Sequence, residues 1–285
     1  MKALKEIGMF VIEQPFLLFA MISVYLSSFL LRAYAWYLYM QKKVFFKTCV
    51  SGIFYSMFFN HLLPFKGGEL VRIGTVLLEK KRKLNKDEVI HSVIVMRLLD
   101  VLTLISITAI GFFLMFNRVY LSSYVIVGLL FPFVIVVTFF FLTKNKLQSF
   151  YKRHLNFFLN GFRGIKGIFI ILMVICSWIF EGIVVMGLLM NSPNAISFLE
   201  AIWVNSLTVG GQFFQVTPGG AATYETIMTF GLKILGISYS TGLSVAIISH
   251  LFKYIFSFVV GTIAFKLQPI DLTNIRSLFK ERGFS

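Results

Sequence analysis

The stretch Asn60-His61-Leu62-Leu63-Pro64-Phe65-Lys66-Gly67-Gly68-Glu69 has a counterpart later in the chain, Thr217-Pro218-Gly219-Gly220-Ala221-Ala222-Thr223-Tyr224-Glu225. Each sets a proline, a Gly-Gly pair and a glutamate inside apolar sequence. Proline lacks an amide donor and glycine bends freely, so a helix entering either stretch should break at Pro64, Gly67 and Gly68 or at Pro218, Gly219 and Gly220. Inside a bilayer such a break frees backbone groups that lipid cannot satisfy, so protein or water must surround it. Two breaks at corresponding places in two halves point to the transport site of secondary transporters.

Composition agrees with a membrane setting. Of 285 residues, 58% are hydrophobic, 34 are Phe and only 14% are charged, far from a soluble domain. The first apolar run, from about 15 to 40, is too long for the apolar region of a signal peptide, so it should remain in the mature protein. The net charge of +15 sits mainly in short connectors beside apolar runs, which is the pattern of cytoplasmic loops and not of a nucleic-acid surface. Cys49 and Cys176 lie in apolar sequence without metal-type spacing and read as packing residues.

Measured against the roughly 20 residues that cross a bilayer, full spans are expected near 15–40, 90–116, 119–142, 167–190 and 239–265. The runs 46–79 and 196–235 are interrupted by the two breaks. Lys42, Lys43 and Lys47 precede the first interrupted run, and Lys80 to Lys83 with Lys86 follow it, so both of its ends should be cytoplasmic and the segment re-entrant. The connector 144–166 is basic, the loop Asn191 to Ile196 is uncharged, and Lys266, Arg276, Lys280 and Arg282 follow the last span. The second hairpin is therefore expected to enter from outside. Pro64 and Pro218 stand 154 positions apart, and Arg97 and His250 stand 153 apart, each in the span after its hairpin.

The expected architecture is an all-α polytopic membrane protein, an inverted repeat with two re-entrant hairpins and about five full spans. It forms one membrane domain over 1–285: a first half to about 116, a connecting span and basic linker over 117–166, a second half over 167–266 and a cytoplasmic tail over 267–285. The N-terminus is expected outside a cell membrane and the C-terminus in the cytoplasm. Amphipathic segments at Lys2 to Glu13 and at 150–166 suit the headgroup layer, although the second also reads as a linker with snorkelling basic residues.

Ionisable residues at membrane depth are costly and tend to face a cavity or a partner. Glu69 and Glu225 lead, each directly after a Gly-Gly break, where a helix N-terminus favours negative charge. Each either caps its helix or contacts a substrate, and one residue can do both. Arg72, three residues after Glu69, can hold a phosphate, pair with Glu69 or snorkel. Arg97 and Asp100 share that spacing, as do His250 and Lys253; an internal ion pair is the plain reading of the first couple. If the halves are related, the two couples face each other. Glu181 lies in mid-span, whereas Arg32 lies near enough to an end to snorkel. Trp36, Trp178 and Trp203 suit interface depth. The histidines are scattered, and no zinc-protease, phosphate-loop or nucleophile-elbow motif occurs, so neither metal, cofactor nor catalytic residue is expected.

These residues together resemble a known family. Leu31-Arg32-Ala33-Tyr34-Ala35-Trp36, the run from Asn60 through Pro64 and Glu69 to Arg72, Arg97-Leu98-Leu99-Asp100, and Pro218-Gly219-Gly220 with Glu225 are similar to the flippase region of lysylphosphatidylglycerol synthases and their stand-alone relatives. The resemblance spans nearly the whole chain. It implies movement of an aminoacylated phospholipid, or of a polyprenyl-linked or glycosylated lipid, between leaflets, in a stand-alone member without the synthase domain. Ala222 stands where a glycine is usual. The expected partners are membrane lipids with anionic headgroups, with no nucleic acid and with room for a homo-oligomer. In this reading Arg72, Arg97 and Lys253 attract phosphate, while Glu69, Glu225 and Asp100 hold a cationic headgroup or carry a proton. A non-transporting partner of a lipid-synthesis enzyme and an intramembrane lipid-modifying enzyme are the rival readings.

Overall fold

The structure is a computed structural model describing residues 2–63, 67–79, 84–115, 148–190, 195–212 and 217–270. Among these, regular structure is helical throughout and no strand occurs. The helices are α1 (Lys2–Glu13), α2 (Pro15–Tyr39), α3 (Phe46–Leu62), α4 (Gly68–Leu77), α5 (Lys86–Leu114), α6 (Gln148–Gly161), α7 (Ile165–Leu189), α8 (Phe198–Gly211), α9 (Thr223–Ile234) and α10 (Tyr239–Leu267). A short 3-10 turn, Pro218–Gly220, lies between α8 and α9.

Four helices, α2, α5, α7 and α10, are long and apolar enough to cross a membrane, and they are four of the five expected spans. The fifth, 119–142, lies outside the described residues. Helix α5 begins at Lys86, sooner than its apolar run, because the Asn85 side chain accepts from the Asp87 amide and two acids fill the first turn. Large apolar side chains such as Phe16, Leu102, Phe113, Ile168 and Ile255 point outward from these helices, as contact with acyl chains requires.

The first interrupted run breaks where expected, whereas in the second the entering helix ends before the Pro218–Gly220 break. Helix α3 stops at Leu62 and α4 starts at Gly68; Pro64 itself lies outside the described residues. Helix α8 stops at Gly211, and the chain turns through Pro218–Gly220 before α9. At 17, 10, 14 and 12 residues, α3, α4, α8 and α9 all fall short of the roughly 20 needed to cross a bilayer.

The packing maps onto itself when the halves are exchanged. Helix α2 packs on α7, both of 25 residues. The pairs α2·α3, α3·α4 and α4·α5 match α7·α8, α8·α9 and α9·α10. The hairpins also cross over, α3 against α10 and α8 against α5. At each crossing an aromatic ring of the hairpin lies on a glycine of a 29-residue helix, Phe58 on Gly261 and Trp203 on Gly111, where a Cβ would collide with the ring. Small residues that let backbones approach are the usual device for packing helices in lipid.

Two sequence expectations change. Trp36, Trp178 and Trp203 are buried and bonded inside, to Ser92, Asp100 and the Thr108 carbonyl, because an indole N–H in the bundle needs an internal acceptor. Cys49 is buried as expected, but Cys176 is exposed on α7. Helix α6 is amphipathic but also latched. Arg153 pairs with Asp87 at 2.9 Å, His154 meets His91 at 2.9 Å, and Gly161 sits against the Tyr39 ring. Burial and the neighbouring Arg153 push His154 below the usual histidine range.

Candidate polar site between the broken helices

A chain of charges runs through the centre of the bundle. Arg32 on α2 donates to Glu181 on α7 at 2.6 Å and to Ser177 at 2.9 Å, and lies 3.7 Å from Asp100 on α5. Its guanidinium carbon stacks 3.8 Å above the Trp178 ring, and Trp178 donates to Asp100 at 3.1 Å. Lys253 on α10 reaches the other Glu181 oxygen at 3.4 Å and Asn205 on α8 at 2.9 Å. All of these residues are buried, and two cations balance two carboxylates. Charges at this depth persist only when paired and hydrogen-bonded. The chain ties together all four spanning helices and the second hairpin.

The first break is organised around Asn60. Its side chain accepts from the Gly68 amide at 2.9 Å, which caps the start of α4 from across the break, and donates to Ser56 at 3.3 Å. Ser56 donates to Glu69 Oε1 at 3.2 Å, while Glu69 Oε2 stands 3.6 Å from Arg72, which stacks over Trp36 at 4.0 Å. A Cβ on Gly68 would collide with the Ser56 carbonyl, whereas one on Gly67 would meet only a Leu63 methyl at 3.4 Å. Gly68→Ala should therefore cost about 1–3 kcal/mol by forced backbone displacement, and Gly67→Ala about 0.5 kcal/mol or less, measured by thermal unfolding in detergent.

The second break is organised around His250. Its Nδ1 lies 2.7 Å from Glu225 Oε1 and its Nε2 lies 3.1 Å from the Gly219 carbonyl, which also accepts from Gln212 at 3.2 Å. The ring stacks 4.2 Å from Tyr224. Gly219 and Gly220 adopt positive φ, and so does Ala222, at φ 70°, in the region that favours glycine. Ala222→Gly should raise stability by about 1 kcal/mol in the same unfolding measurement.

The two breaks adjoin. Helix α3 packs on the Pro218–Gly220 turn. Tyr254 on α10 donates to the Pro218 carbonyl at 2.8 Å, and its ring meets that of His61 at 4.7 Å. The hairpin glutamates are alike: in each, one oxygen is hydrogen-bonded and the other, Oε2, is buried without a hydrogen-bond partner among the described residues. Among the described residues, most other buried polar atoms without hydrogen-bond partners, including Arg72 Nε, Asn205 Nδ2, Ser206 Oγ and Thr229 Oγ1, also lie on hairpin helices. Such atoms are expensive to bury, and their concentration on these four helices marks a polar zone.

Most of the residues singled out in the sequence thus fall in two linked groups. Glu181, Asp100 and Lys253 join the central chain, while Glu69, Arg72, Glu225 and His250 flank the breaks. Two readings are corrected. Arg32 is buried at the centre, held by Glu181 and Trp178, and does not snorkel. Asp100 closes on Arg32 and Trp178, and no ion pair joins it to Arg97, which is partly exposed. Neither Glu69 nor Glu225 makes a side-chain cap bond to its helix. Ser177, Asn205 and Tyr254 went unread; Ser177 and Tyr254 stand four residues from Glu181 and His250, so helical spacing carried a signal for them.

The family model described as "Lysylphosphatidylglycerol synthase TM region" matches residues 4–261. UPF0104 membrane protein MJ1078 of Methanocaldococcus jannaschii is 25% identical over 222 residues, covering 73% of this chain and 93% of that protein. UPF0104 membrane protein MJ1595 of the same organism is 23% identical over 253 residues, covering 77% of this chain and 74% of that protein. No solved structure matches.

Proposed function

This chain belongs to the lysylphosphatidylglycerol synthase transmembrane-region family, and from that premise we propose that it moves a lipid between the leaflets of the cell membrane. The observation that carries this reading is the pair of hairpin glutamates. Each presents a buried oxygen without a hydrogen-bond partner among the described residues, and their breaks adjoin through α3 and Tyr254. Glu69, Arg72 and Glu225 contact the crossing headgroup, and Arg97 draws its phosphate. The acyl chains stay in the bilayer, so the protein shields only the costly polar part. The central chain of Asp100, Arg32, Glu181 and Lys253 is already paired, and it keeps the halves in register. A coupling proton resides on the Glu225 and His250 couple.

The halves form an inverted repeat with re-entrant hairpins, the N-terminus outside and the C-terminus cytoplasmic. The exchangeable packing and the four short helices support this. In a Cys49→Ser/Cys176→Ser background, Lys47→Cys and Asn85→Cys should label from the same side of the membrane. Labelling from opposite sides contradicts re-entrance of the first hairpin.

Function is tested with purified protein in liposomes carrying headgroup-labelled phosphatidylglycerol, its lysyl derivative or a polyprenyl phosphate. One of these should cross at a rate above protein-free liposomes and be recovered chemically unchanged. A chemically altered lipid would instead support an intramembrane enzyme. No crossing of any lipid, with binding intact, would support a non-transporting partner.

A further inference from the structure

A second polar feature lies away from the hairpins. A cavity of about 600 Å³ opens where the end of α2, the start of α5, α6 and the start of α7 meet, lined among others by Lys43, Glu88, His91, Asn160, Arg163 and Lys166. Three cations face one carboxylate there, and that carboxylate is taken: Lys43 holds Glu88 at 2.6 Å. Arg163 and Lys166 pair with no acid among the described residues. Between them stands Gly164, and α7 starts beside the cavity without a side-chain cap, so its first amides add partial positive charge.

Helix α6 is held by Arg153 and Asp87, by His154 and His91, and by Gln41 on the Asn160 carbonyl at 3.3 Å. Beside this cationic cavity the outer surface is apolar: Leu155, Phe158 and Leu159 of α6 and Ile165, Ile168 and Phe169 of α7 are exposed. A soluble anion would use the charges alone. A lipid would use both features, its phosphate in the cavity and its acyl chains along this apolar margin.

We propose that this cavity is a binding site for the phosphate of an anionic membrane lipid, separate from the translocation site. The proposal does not rest on transport, and either can fail without the other. The test titrates purified full-length protein in detergent with phosphatidylglycerol, phosphatidylcholine or inorganic phosphate and counts bound molecules by native mass spectrometry. Arg163→Gln/Lys166→Gln should weaken phosphatidylglycerol binding roughly tenfold or more. Lys47→Gln/Lys152→Gln removes equal charge from exposed positions outside the cavity lining and should leave binding near wild type. Equal loss in both double variants, or loss in neither, overturns the site in favour of diffuse surface charge or of none. Equal binding of phosphatidylcholine overturns the anionic preference. Inorganic phosphate that displaces the lipid through Arg163 and Lys166 identifies a soluble phosphate compound as the occupant and overturns the lipid assignment.

Discussion

Glu181→Ala is expected to destabilise the protein by about 3–5 kcal/mol, the cost of breaking a buried ion pair from one side. Glu181 is the only carboxylate within ion-pair distance of Lys253 among the described residues, and it makes the shortest contact to Arg32, at 2.6 Å. Without it, Lys253 keeps Asn205 and Arg32 keeps Asp100 at 3.7 Å, so two buried cations share one remaining acid. Adding Lys253→Met removes the excess charge, so the double variant should be less destabilised than the sum of the single ones. Thermal or denaturant unfolding in detergent measures both. A Glu181→Ala protein as stable as wild type would show that the central chain does not hold the bundle.

The second large effect concerns His250. Both of its ring nitrogens face oxygens, the Glu225 carboxylate and the Gly219 carbonyl, yet a neutral imidazole has one N–H. The arrangement is complete only with an additional proton, on the ring or on Glu225. Tyr224 and Tyr254 flank the ring, and Lys253 of the same helix lies 5.2 Å from the Tyr224 ring. His250→Gln keeps an amide N–H for one partner but cannot carry the proton. It should slow translocation at least about tenfold, equivalent to about 1.4 kcal/mol of barrier, and abolish the response to an imposed pH gradient. Wild-type transport indifferent to such a gradient would remove the proton from the mechanism.

The breaks were legible because proline and glycine act locally: Gly219 turns the chain at positive φ, whereas the need for glycine at Gly68, set by the Ser56 carbonyl, was not legible. The four described spans were legible because twenty-odd apolar residues admit few alternatives in lipid. Partner choice was not legible. Asp100 looked like the natural mate of Arg97 three residues away, but α2 brings Arg32 to it across the bundle, with Trp178 supplying a hydrogen bond. Arg32 and the three tryptophans were read by their distance from span ends, which ignores which helix face turns inward. The latch of α6 depends on His91 and His154, which are 63 positions apart and meet only through tertiary packing.

The measurement that tests the account most directly is the initial rate of headgroup-labelled lipid translocation in liposomes by wild type beside Glu69→Gln/Glu225→Gln. Both proteins should be folded and bind the lipid, yet the double variant should lose translocation, because the two partly unpartnered carboxylates at the adjoining breaks no longer carry charge. Equal rates in the two proteins would contradict a pathway through the hairpins.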